Sequence, residues 1–385
     1  MPRHSAVITG AAGTGMGAFA QSTCLGLQLD AARRAAADAG VRLSDVDGVI
    51  CAYSLVQPHL MLASCFAEFA GLNPSACFAI QAGGATGAVM TAVAASLVES
   101  GAYRNVLVVT GDNRLSGLSR DGAVAALAEV GHPEFERPYG FSVPAGYALV
   151  AARYMHEYGV TAEDLAHIAV AMRRHASRTE GAHMRNPVTL EEVQASRVIA
   201  APLRLLDCSL ISDGAAALII SRDDVAADLP GSAVKVLSSG QAHTHEHIVA
   251  APSLVEFGCK ESSRQAFERA GVSAKDIDIV QIYDSFTITL LVELESIGFF
   301  ERGAAGPAIA GGALDLDGAL PCNTHGGLLS HGHSGAAGGM YHIVEAVTQL
   351  RGAAGARQAG SPKLAFVHGD GGILSAHCSL ILARD

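Results

Sequence analysis

The segment "AAADAGVRLSDVDGVICAY" at residues 35–53 is matched further along the chain by "AFERAGVSAKDIDIVQIYD" at residues 266–284. Seven positions are identical at one constant offset. Each segment is typical of a helix that ends at a glycine, followed by a short acidic turn and a buried strand. Because the identities keep one register through helix, turn and strand, they indicate an internal repeat.

Apolar strand-like runs and helical patterns alternate outside the repeat as well. Runs at 104–112, 214–222 and 363–372 predict buried strands, and the pattern at 338–352 predicts an amphipathic helix. This alternation is typical of an α/β protein, and we predict two related halves, each with a sheet covered by helices.

The predicted halves are residues 1–230 and 231–385. Residues 113–206 are more polar and richer in His, Arg and Tyr than the rest of the chain. We predict that this stretch is an insertion within the first half, where it forms a cap over an active site or an interface.

Composition excludes several classes of function. The formal net charge is −11 without a basic run, which argues against nucleic-acid binding. We expect no membrane insertion, because no uninterrupted apolar run reaches spanning length, and the N-terminus lacks a signal-peptide pattern. The eight cysteines form no CxxC pair, so we expect neither a zinc ribbon nor a disulfide framework. We therefore expect a cytoplasmic location.

The segment "CFAIQAGGATGAVMTAVAASLVESG" at residues 77–101 predicts a strand, a glycine turn and a helix. Such a turn can hold a nucleophile at the helix N-terminus, where free N–H groups and the helix dipole favour negative charge. Gly83, Gly84 and Ala85 stand at the tip, and none of them carries a reactive side chain.

A glycine-rich segment, "CNTHGGLLSHGHSGAAGG" at residues 322–339, contains three histidines. We predict neither a packed helix nor a regular strand for it. Two interpretations are open: a surface turn with solvated histidines, or a ligand-binding loop in which His333 is a catalytic group and glycine N–H groups contact the ligand.

Two further segments are candidates for the site. Tyr283, Asp284 and Ser285 follow a buried strand predicted at 277–282, and ligand sites form at such strand ends. Asp284 or Ser285 is also expected to cap the following helix, a role that does not account for Tyr283. The segment "FVHGDGGILSAHCSLIL" at 366–382 is either a plain hairpin or a catalytic loop, and "HTHEH" at 243–247 is interpreted as a solvated loop.

The motif "NTHGGLLSHGHSGAAG" resembles the Asn-x-x-Gly-Gly-(x)4-Gly-His-Pro-x-Gly-x-x-Gly pattern of the thiolase superfamily, with Ser334 in place of the proline. "YDSF" at 283–286 is similar to the His-Asp-Cys-Phe motif of its sterol-carrier, lipid-transfer branch. The resemblance covers the whole chain. It implies a thiolase fold, two duplicated halves in five α/β/α/β/α layers with an inserted loop domain, and an oxyanion-hole role for His333.

The departures from the thiolase pattern concern its thiol groups. Gly84 stands at the position of the acylated cysteine, Ser285 replaces the branch's cysteine, and His368, Asp370 and glycines stand where the acid/base cysteine is expected. A chain without these thiols lacks the covalent carrier of acyl transfer. Retro-aldol cleavage of a β-hydroxyacyl-CoA needs only a base, an oxyanion hole and a proton donor.

The resemblance therefore implies a carbon–carbon lyase that acts on a bulky β-hydroxyacyl-CoA of steroid or lipid side-chain type, without a covalent intermediate. The CoA thioester is the substrate, and no cofactor or metal is expected on this chain. The alternatives are a thiolase (acyl-CoA acyltransferase) with a relocated nucleophile and a non-catalytic acyl-CoA-binding subunit.

We predict a catalytic group with Tyr341 and Tyr283 as base and acid; its members are His333, Tyr341, Tyr283 and Asp284. The predicted substrate-binding residues are Gly84, Ser285, Asn323, His325, His331, His368 and Asp370. By resemblance we also expect a homodimer paired through strands near 104–109, and a small zinc-ribbon/OB-fold partner protein.

Overall fold

The computed structural model describes residues 4–384, apart from the side chains at positions 120, 123 and 124. The strands within this range are β1 (Ala6–Gly17), β2 (Gly48–Ala52), β3 (Ala76–Ile80), β4 (Asn105–Asn113), β5 (Val198–Ala200), β6 (Leu203–Arg204), β7 (Asp213–Arg222), β8 (Val234–His243), β9 (Ile279–Ile282), β10 (Leu364–Gly371) and β11 (Ala376–Arg384). The α-helices are α1 (Cys24–Ala39), α2 (Leu62–Ala70), α3 (Thr86–Glu99), α4 (Arg114–Gly117), α5 (Arg120–Ala128), α6 (Val143–Tyr158), α7 (Ala162–Ser177), α8 (Leu190–Ala195), α9 (Asp223–Ala226), α10 (Cys259–Ala270), α11 (Thr287–Ile297), α12 (Ala305–Ala310) and α13 (Ala336–Leu350).

The repeat read from the sequence is present in three dimensions. Helices α1 and α10 end at Gly40 and Gly271, and each glycine has a φ of 69°, a left-handed conformation that costs little without a Cβ. Each glycine is followed by a 3-10 turn, Leu43–Asp45 or Ala274–Asp276, and then by the parallel strand β2 or β9.

Strand order repeats this duplication. Nine strands form one sheet in the order β3-β2-β4-β7-β1-β8-β11-β10-β9, in which the first half contributes five and the second half four. Strands β1, β2, β4 and β7 correspond to β8, β9, β10 and β11, and an isolated parallel bridge between Val280 and Cys322 takes the place of the β2–β3 pairing. The halves join through a short antiparallel pairing of β1 with β8.

Helices pack on the sheet in the five layers expected for the thiolase fold. Helices α3 and α13 pack on each other and contact strands of both halves, so they form the central layer. Helices α1 and α2 cover the outer face of the first half, and α10 covers the outer face of the second half.

Strand β4 is an interior strand, so the expectation of pairing between chains near 104–109 is wrong. It is hydrogen-bonded to β2 on one side and to β7 on the other, and all its residues are buried. The edge of the sheet in this half is β3, which is paired only with β2 among the described residues. Among those residues, no helix combines the length and apolar character needed to cross a bilayer.

Candidate active site

The elbow between β3 and α3 has the predicted strand–turn–helix form. Gly83 has a φ of 55°, and α3 begins at Thr86. The turn between β10 and β11 packs directly on the elbow, where a Cβ at residue 83 would lie 2.8 Å from the Cα of Gly371. The elbow and the C-terminal hairpin, which belong to different halves, therefore meet at one place.

Gly84 lies against the side chain of Tyr283. A Cβ atom at residue 84 would overlap the ring carbon and hydroxyl oxygen of Tyr283 and the carbonyl oxygen of Asp370. Only glycine fits there while Tyr283 keeps its position. The phenol thus occupies the space into which a nucleophilic side chain at the elbow would project.

Tyr283 and His333 form a hydrogen-bonded pair. The Tyr283 hydroxyl lies 2.9 Å from Nε2 of His333, and Tyr283 is 5% exposed. Burial, with a smaller contribution from Arg114, lowers the pKa of His333 to about 3, so its imidazole is neutral near pH 7. Burial raises the pKa of Tyr283 well above its usual value, so the pair consists of a phenol and a neutral imidazole.

Arg114, which was not predicted as a site residue, places a buried positive charge near this pair. It begins α4 directly after β4, is 3% exposed, and its Nε has no hydrogen-bond partner. Its charge lowers the pKa of both Tyr283 and His333, although burial is the larger effect on each. Its position after the carboxyl end of a predicted strand was the signal that could have indicated it.

Asp370 lies behind the elbow on β10. Its Oδ2 accepts a 2.8 Å hydrogen bond from the hydroxyl of Tyr147, and its Oδ1 has no partner. Burial raises the pKa of this carboxyl group well above its usual value, and the nearby carboxyl of Glu293 adds to the effect. Tyr147 comes from α6 in the insertion, which therefore contributes a side chain to this region.

Asp284 holds the glycine-rich loop and does not face Gly84. Its Oδ1 accepts a 2.7 Å hydrogen bond from the backbone N–H of Leu328, and the residue is fully buried. The expectation that Asp284 or Ser285 caps the next helix is wrong, because Phe286 is at the cap position and no side chain caps that end. Ser285 instead lies 3.2 Å from the Thr289 hydroxyl.

Asn323 also binds backbone. Its Oδ1 accepts from the N–H of Ile282 at 2.8 Å, and its Nδ2 donates to the carbonyl of the same residue at 2.7 Å. Because both ends of the amide pair with β9, the side chain anchors the loop to the strand that ends before Tyr283. The predicted contact of Asn323 with substrate stays a prediction, since each amide atom uses one hydrogen bond for Ile282.

The glycine-rich loop is buried, which excludes the interpretation as a surface turn. Residues Gly327–His331 form one π-helical turn, where neither helix nor strand was predicted, and all five are buried. Residue 327 must be glycine, because a Cβ atom there would overlap the carboxylate of Asp284. The insertion covers this loop, since α7 packs against the π-helical turn.

Tyr341 lines a cavity that does not include Gly84 or Tyr283. Its hydroxyl accepts a 2.6 Å hydrogen bond from the N–H of Gly15 and lies 3.2 Å from the carbonyl of Ala215. That cavity, of about 200 Å³, is also lined by His325 and His331, and neither Gly84 nor Tyr283 lines it. The structure thus separates Tyr341, His325 and His331 from the elbow.

A buried group of possible metal ligands lies beyond Asp370. His368 on β10, Glu293 on α11 and His377 on β11 point their ligand atoms toward one another. His368 was predicted as a substrate-binding residue, whereas Glu293 and His377 were not predicted. No sequence spacing could have indicated them, because three separate elements bring them together.

Family models match both halves of the chain. Residues 6–224 match the model described as thiolase, N-terminal domain, and residues 240–384 match the model described as thiolase C-terminal domain-like.

Similar proteins include enzymes with two kinds of activity. An acetyl-CoA acetyltransferase of Methanothermobacter thermautotrophicus is 34% identical, over 88% of this chain and 90% of that protein. A steroid side-chain-cleaving aldolase of Thermomonospora curvata is 34% identical, over 85% of each chain. The solved structure of the Ltp2-ChsH2(DUF35) aldolase matches with a TM-score of 0.87 and 32% identity, covering 99% of this chain and 98% of that one.

Proposed function

The chain belongs to the thiolase superfamily and is a thiolase-like acyl-CoA enzyme, and we propose that it cleaves a carbon–carbon bond of a β-hydroxyacyl-CoA by a retro-aldol reaction. The observation that carries the proposal is the contact between Gly84 and Tyr283. A thiolase needs a thiol at the elbow to carry the acyl group. Here a phenol fills that space, and a phenol beside a neutral imidazole is suited to moving protons.

In the proposed reaction, Tyr283 takes the proton of the substrate's β-hydroxyl group and passes its own proton to Nε2 of His333. The Cα–Cβ bond breaks, the β-carbon becomes a carbonyl group, and the bonding electrons form a thioester enolate. The enolate takes up the proton held by His333 at Cα, so no proton is gained or lost overall. The 2.9 Å separation of the Tyr283 hydroxyl and the His333 ring supports this relay.

Two positive elements favour the anionic intermediate. Helix α3 directs its N-terminus at the elbow, where free N–H groups and the helix dipole stabilise negative charge. The positive charge of Arg114 acts on both Tyr283 and His333, and its Nε has no hydrogen-bond partner. His333 acts in this scheme as the proton partner of Tyr283, in addition to the oxyanion contact that the family motif implies.

The acyl group is proposed to be bulky and of steroid or lipid side-chain type. The similarity to a steroid side-chain-cleaving aldolase supports this, and so does the insertion that covers the site. The two-component name of the Ltp2-ChsH2(DUF35) aldolase supports a small partner protein for this chain. A homodimer and a cytoplasmic location complete the proposal.

The alternative is acyl transfer by a relocated cysteine, and the 34% identity to an acetyl-CoA acetyltransferase favours it. The cysteines near the elbow are poorly suited to this role. Cys322 and Cys378 are fully buried, and burial raises the pKa of Cys378 to about 12, which leaves almost no thiolate near pH 7.

The deciding experiment incubates the purified chain, with and without its small partner protein, with β-hydroxyacyl-CoA esters that carry steroid, fatty or aromatic side chains. A retro-aldolase releases a ketone or aldehyde and a shortened acyl-CoA without consuming free CoA. A thiolase consumes free CoA and acts on β-ketoacyl-CoA esters instead. Activity on β-ketoacyl-CoA alone would overturn the proposal.

A further inference from the structure

Glu293, His368 and His377 form a compact buried cluster between α11 and the C-terminal hairpin. Nε2 of His368 lies 3.4 Å from Oε1 of Glu293 and 3.1 Å from Nδ1 of His377, and the third separation, from His377 Nδ1 to Glu293 Oε1, is 3.9 Å. Glu293 is 0% exposed, and neither of its carboxyl oxygens has a hydrogen-bond partner. A buried carboxyl group without donors is costly unless something compensates it.

The hydrogen bond of His377 to the backbone decides which of its nitrogens is protonated. Nε2 of His377 lies 2.9 Å from the carbonyl oxygen of Leu374, and a carbonyl can only accept. Nε2 therefore carries the proton in the neutral ring. Nδ1 is left with a lone pair directed into the cluster.

The environment of His368 gives it the complementary arrangement. The Ser262 hydroxyl lies 3.1 Å from a helix carbonyl, that of Cys259, and 3.0 Å from the hydroxyl of Ser379, which in turn lies 2.9 Å from Nδ1 of His368. If Ser262 donates to the carbonyl, Ser379 donates to Ser262 and must accept from Nδ1–H of His368. With this assignment, one proton lies in each of the three contacts, Ser262 to the Cys259 carbonyl, Ser379 to Ser262, and His368 to Ser379. Nε2 of His368 then also presents a lone pair to the cluster.

With this assignment, and with Glu293 ionised, the three atoms that face one another are all acceptors. We propose that the cluster binds a divalent metal ion, with zinc the best fit, through Nε2 of His368, Nδ1 of His377 and a carboxylate oxygen of Glu293. A tetrahedral zinc ion with ligands at about 2.0–2.2 Å separates its ligand atoms by roughly 3.3–3.6 Å, close to the three separations here. The Ser379 and Leu374 contacts orient the two rings, as outer hydrogen bonds do for histidine ligands.

Such an ion would join α11 to both strands of the hairpin. His368 lies two residues before Asp370, whose carbonyl packs against Gly84, and His377 lies on the opposite strand. The ion would therefore fix the hairpin behind the elbow. Its expected effect is on stability and on the placement of Asp370, and the proposal does not depend on which reaction the enzyme performs.

The experiment measures metal in the untagged chain, separated from any partner protein and dialysed against metal-free buffer. Elemental analysis by mass spectrometry is expected to find close to one equivalent of zinc or another divalent transition metal. Removal with a strong chelator should lower Tm by on the order of 5 °C, and addition of zinc should restore it. Replacement by cobalt should give the intense visible absorption of a tetrahedral site.

Variants locate the ion. His377→Gln and Glu293→Gln are expected to lose most of the bound metal and to become insensitive to the chelator. His4→Gln is the matched control, because His4, Asp223 and Asp224 form the other group of possible ligands in the part of the chain described, and its two carboxylates are exposed. Metal below about a tenth of an equivalent in the wild-type chain, with a Tm unaffected by chelator and by added zinc, would overturn the proposal and leave a shared proton in the cluster. Retention of the metal in both cluster variants, or its loss in His4→Gln, would also overturn it.

Discussion

The hydroxyl group of Tyr283 occupies the space that a side chain at residue 84 would need, since a Cβ there would overlap both the phenol and the carbonyl of Asp370. The two positions belong to opposite halves of the duplicated fold, and each determines what the other can be. The position of Tyr283 thus requires glycine at residue 84, and the same glycine leaves the elbow without a nucleophile.

Gly84→Cys should therefore damage the enzyme. The new side chain must displace the Tyr283 ring, which breaks its hydrogen bond to His333 and lowers the cleavage rate by about 10²–10⁴. Overpacking should also lower the free energy of unfolding by about 1–3 kcal/mol. Gly84→Ala, which adds the clash without a thiol, should behave alike. Combining it with Tyr283→Ala should cost less stability than the sum of the two single changes, because the phenol clash is removed while the overlap with the Asp370 carbonyl remains. Faster cleavage by Gly84→Cys would contradict this account.

The Tyr283–His333 pair is expected to act on the rate of bond cleavage. Tyr283→Phe removes the hydroxyl group, the only group of this side chain that can transfer a proton. His333→Ala removes the imidazole to which it is hydrogen-bonded. Each change should therefore lower kcat by about 10²–10⁴. Both groups are proposed to act on protons and charge that move during bond cleavage, so KM should change by only a few-fold. Steady-state kinetics test this, and the double variant should be no slower than the worse single variant, since the residues act as one unit. Rates within a few-fold of wild type would remove the pair from the mechanism.

Much of the fold could be predicted because its signals are local. The glycine C-caps at residues 40 and 271 and the glycine turn before α3 each follow from a short stretch of sequence. The site depends on contacts between distant elements, and there the sequence was insufficient. Tyr341 shares the helix α13 with Gly339, but it is Gly339 that faces the elbow, where a Cβ would lie 2.5 Å from the Gly84 carbonyl oxygen.

Other site residues were missed for the same physical reason. Aspartate is a common helix-capping residue, yet the carboxylate of Asp284 accepts a hydrogen bond from a backbone N–H group more than forty positions away in the loop. Tyr147 contacts Asp370 from the insertion, 223 positions away in the sequence. Glu293, on α11, contacts His368 on β10. Periodicity and short motifs carry no information about such pairs.

Arg114 should contribute to the pH dependence of cleavage. Burial and, to a smaller extent, the positive charge of Arg114 lower the pKa of His333 to about 3, and the imidazole must be neutral to accept the Tyr283 proton. Loss of the charge raises that pKa, so the acid limb of kcat/KM should move to higher pH in Arg114→Gln. Arg114→Lys keeps the charge and should keep the limb near its wild-type position. A profile of Arg114→Gln that rises at the same pH as wild type would show that Arg114 has no electrostatic role.

The edge strand β3 is expected to form the interface of a homodimer. Its one free edge presents unpaired backbone groups, and Phe78 on it is 37% exposed. Phe78→Glu should convert the dimer to monomers, because a charge would be buried at the paired edge, whereas Phe135→Glu, at an exposed position of the insertion, should not. Light scattering after gel filtration gives the mass directly. A wild-type monomer at micromolar concentration, or a Phe78→Glu dimer, would be inconsistent with this interface.

No acyl group should become attached to the enzyme during turnover. Gly84 offers no nucleophile, Cys322 and Cys378 are fully buried, and burial raises the pKa of both these thiols and of Cys77. Intact-mass spectrometry with a β-hydroxyacyl-CoA should show the unmodified chain alone. Iodoacetamide should modify the half-exposed Cys65 on α2 and leave cleavage unchanged, which peptide mapping and activity measured on the same sample can establish. An acyl adduct on Cys77, Cys322 or Cys378 that forms and decays at the turnover rate would instead identify a relocated thiolase nucleophile, and the retro-aldol mechanism would then be wrong.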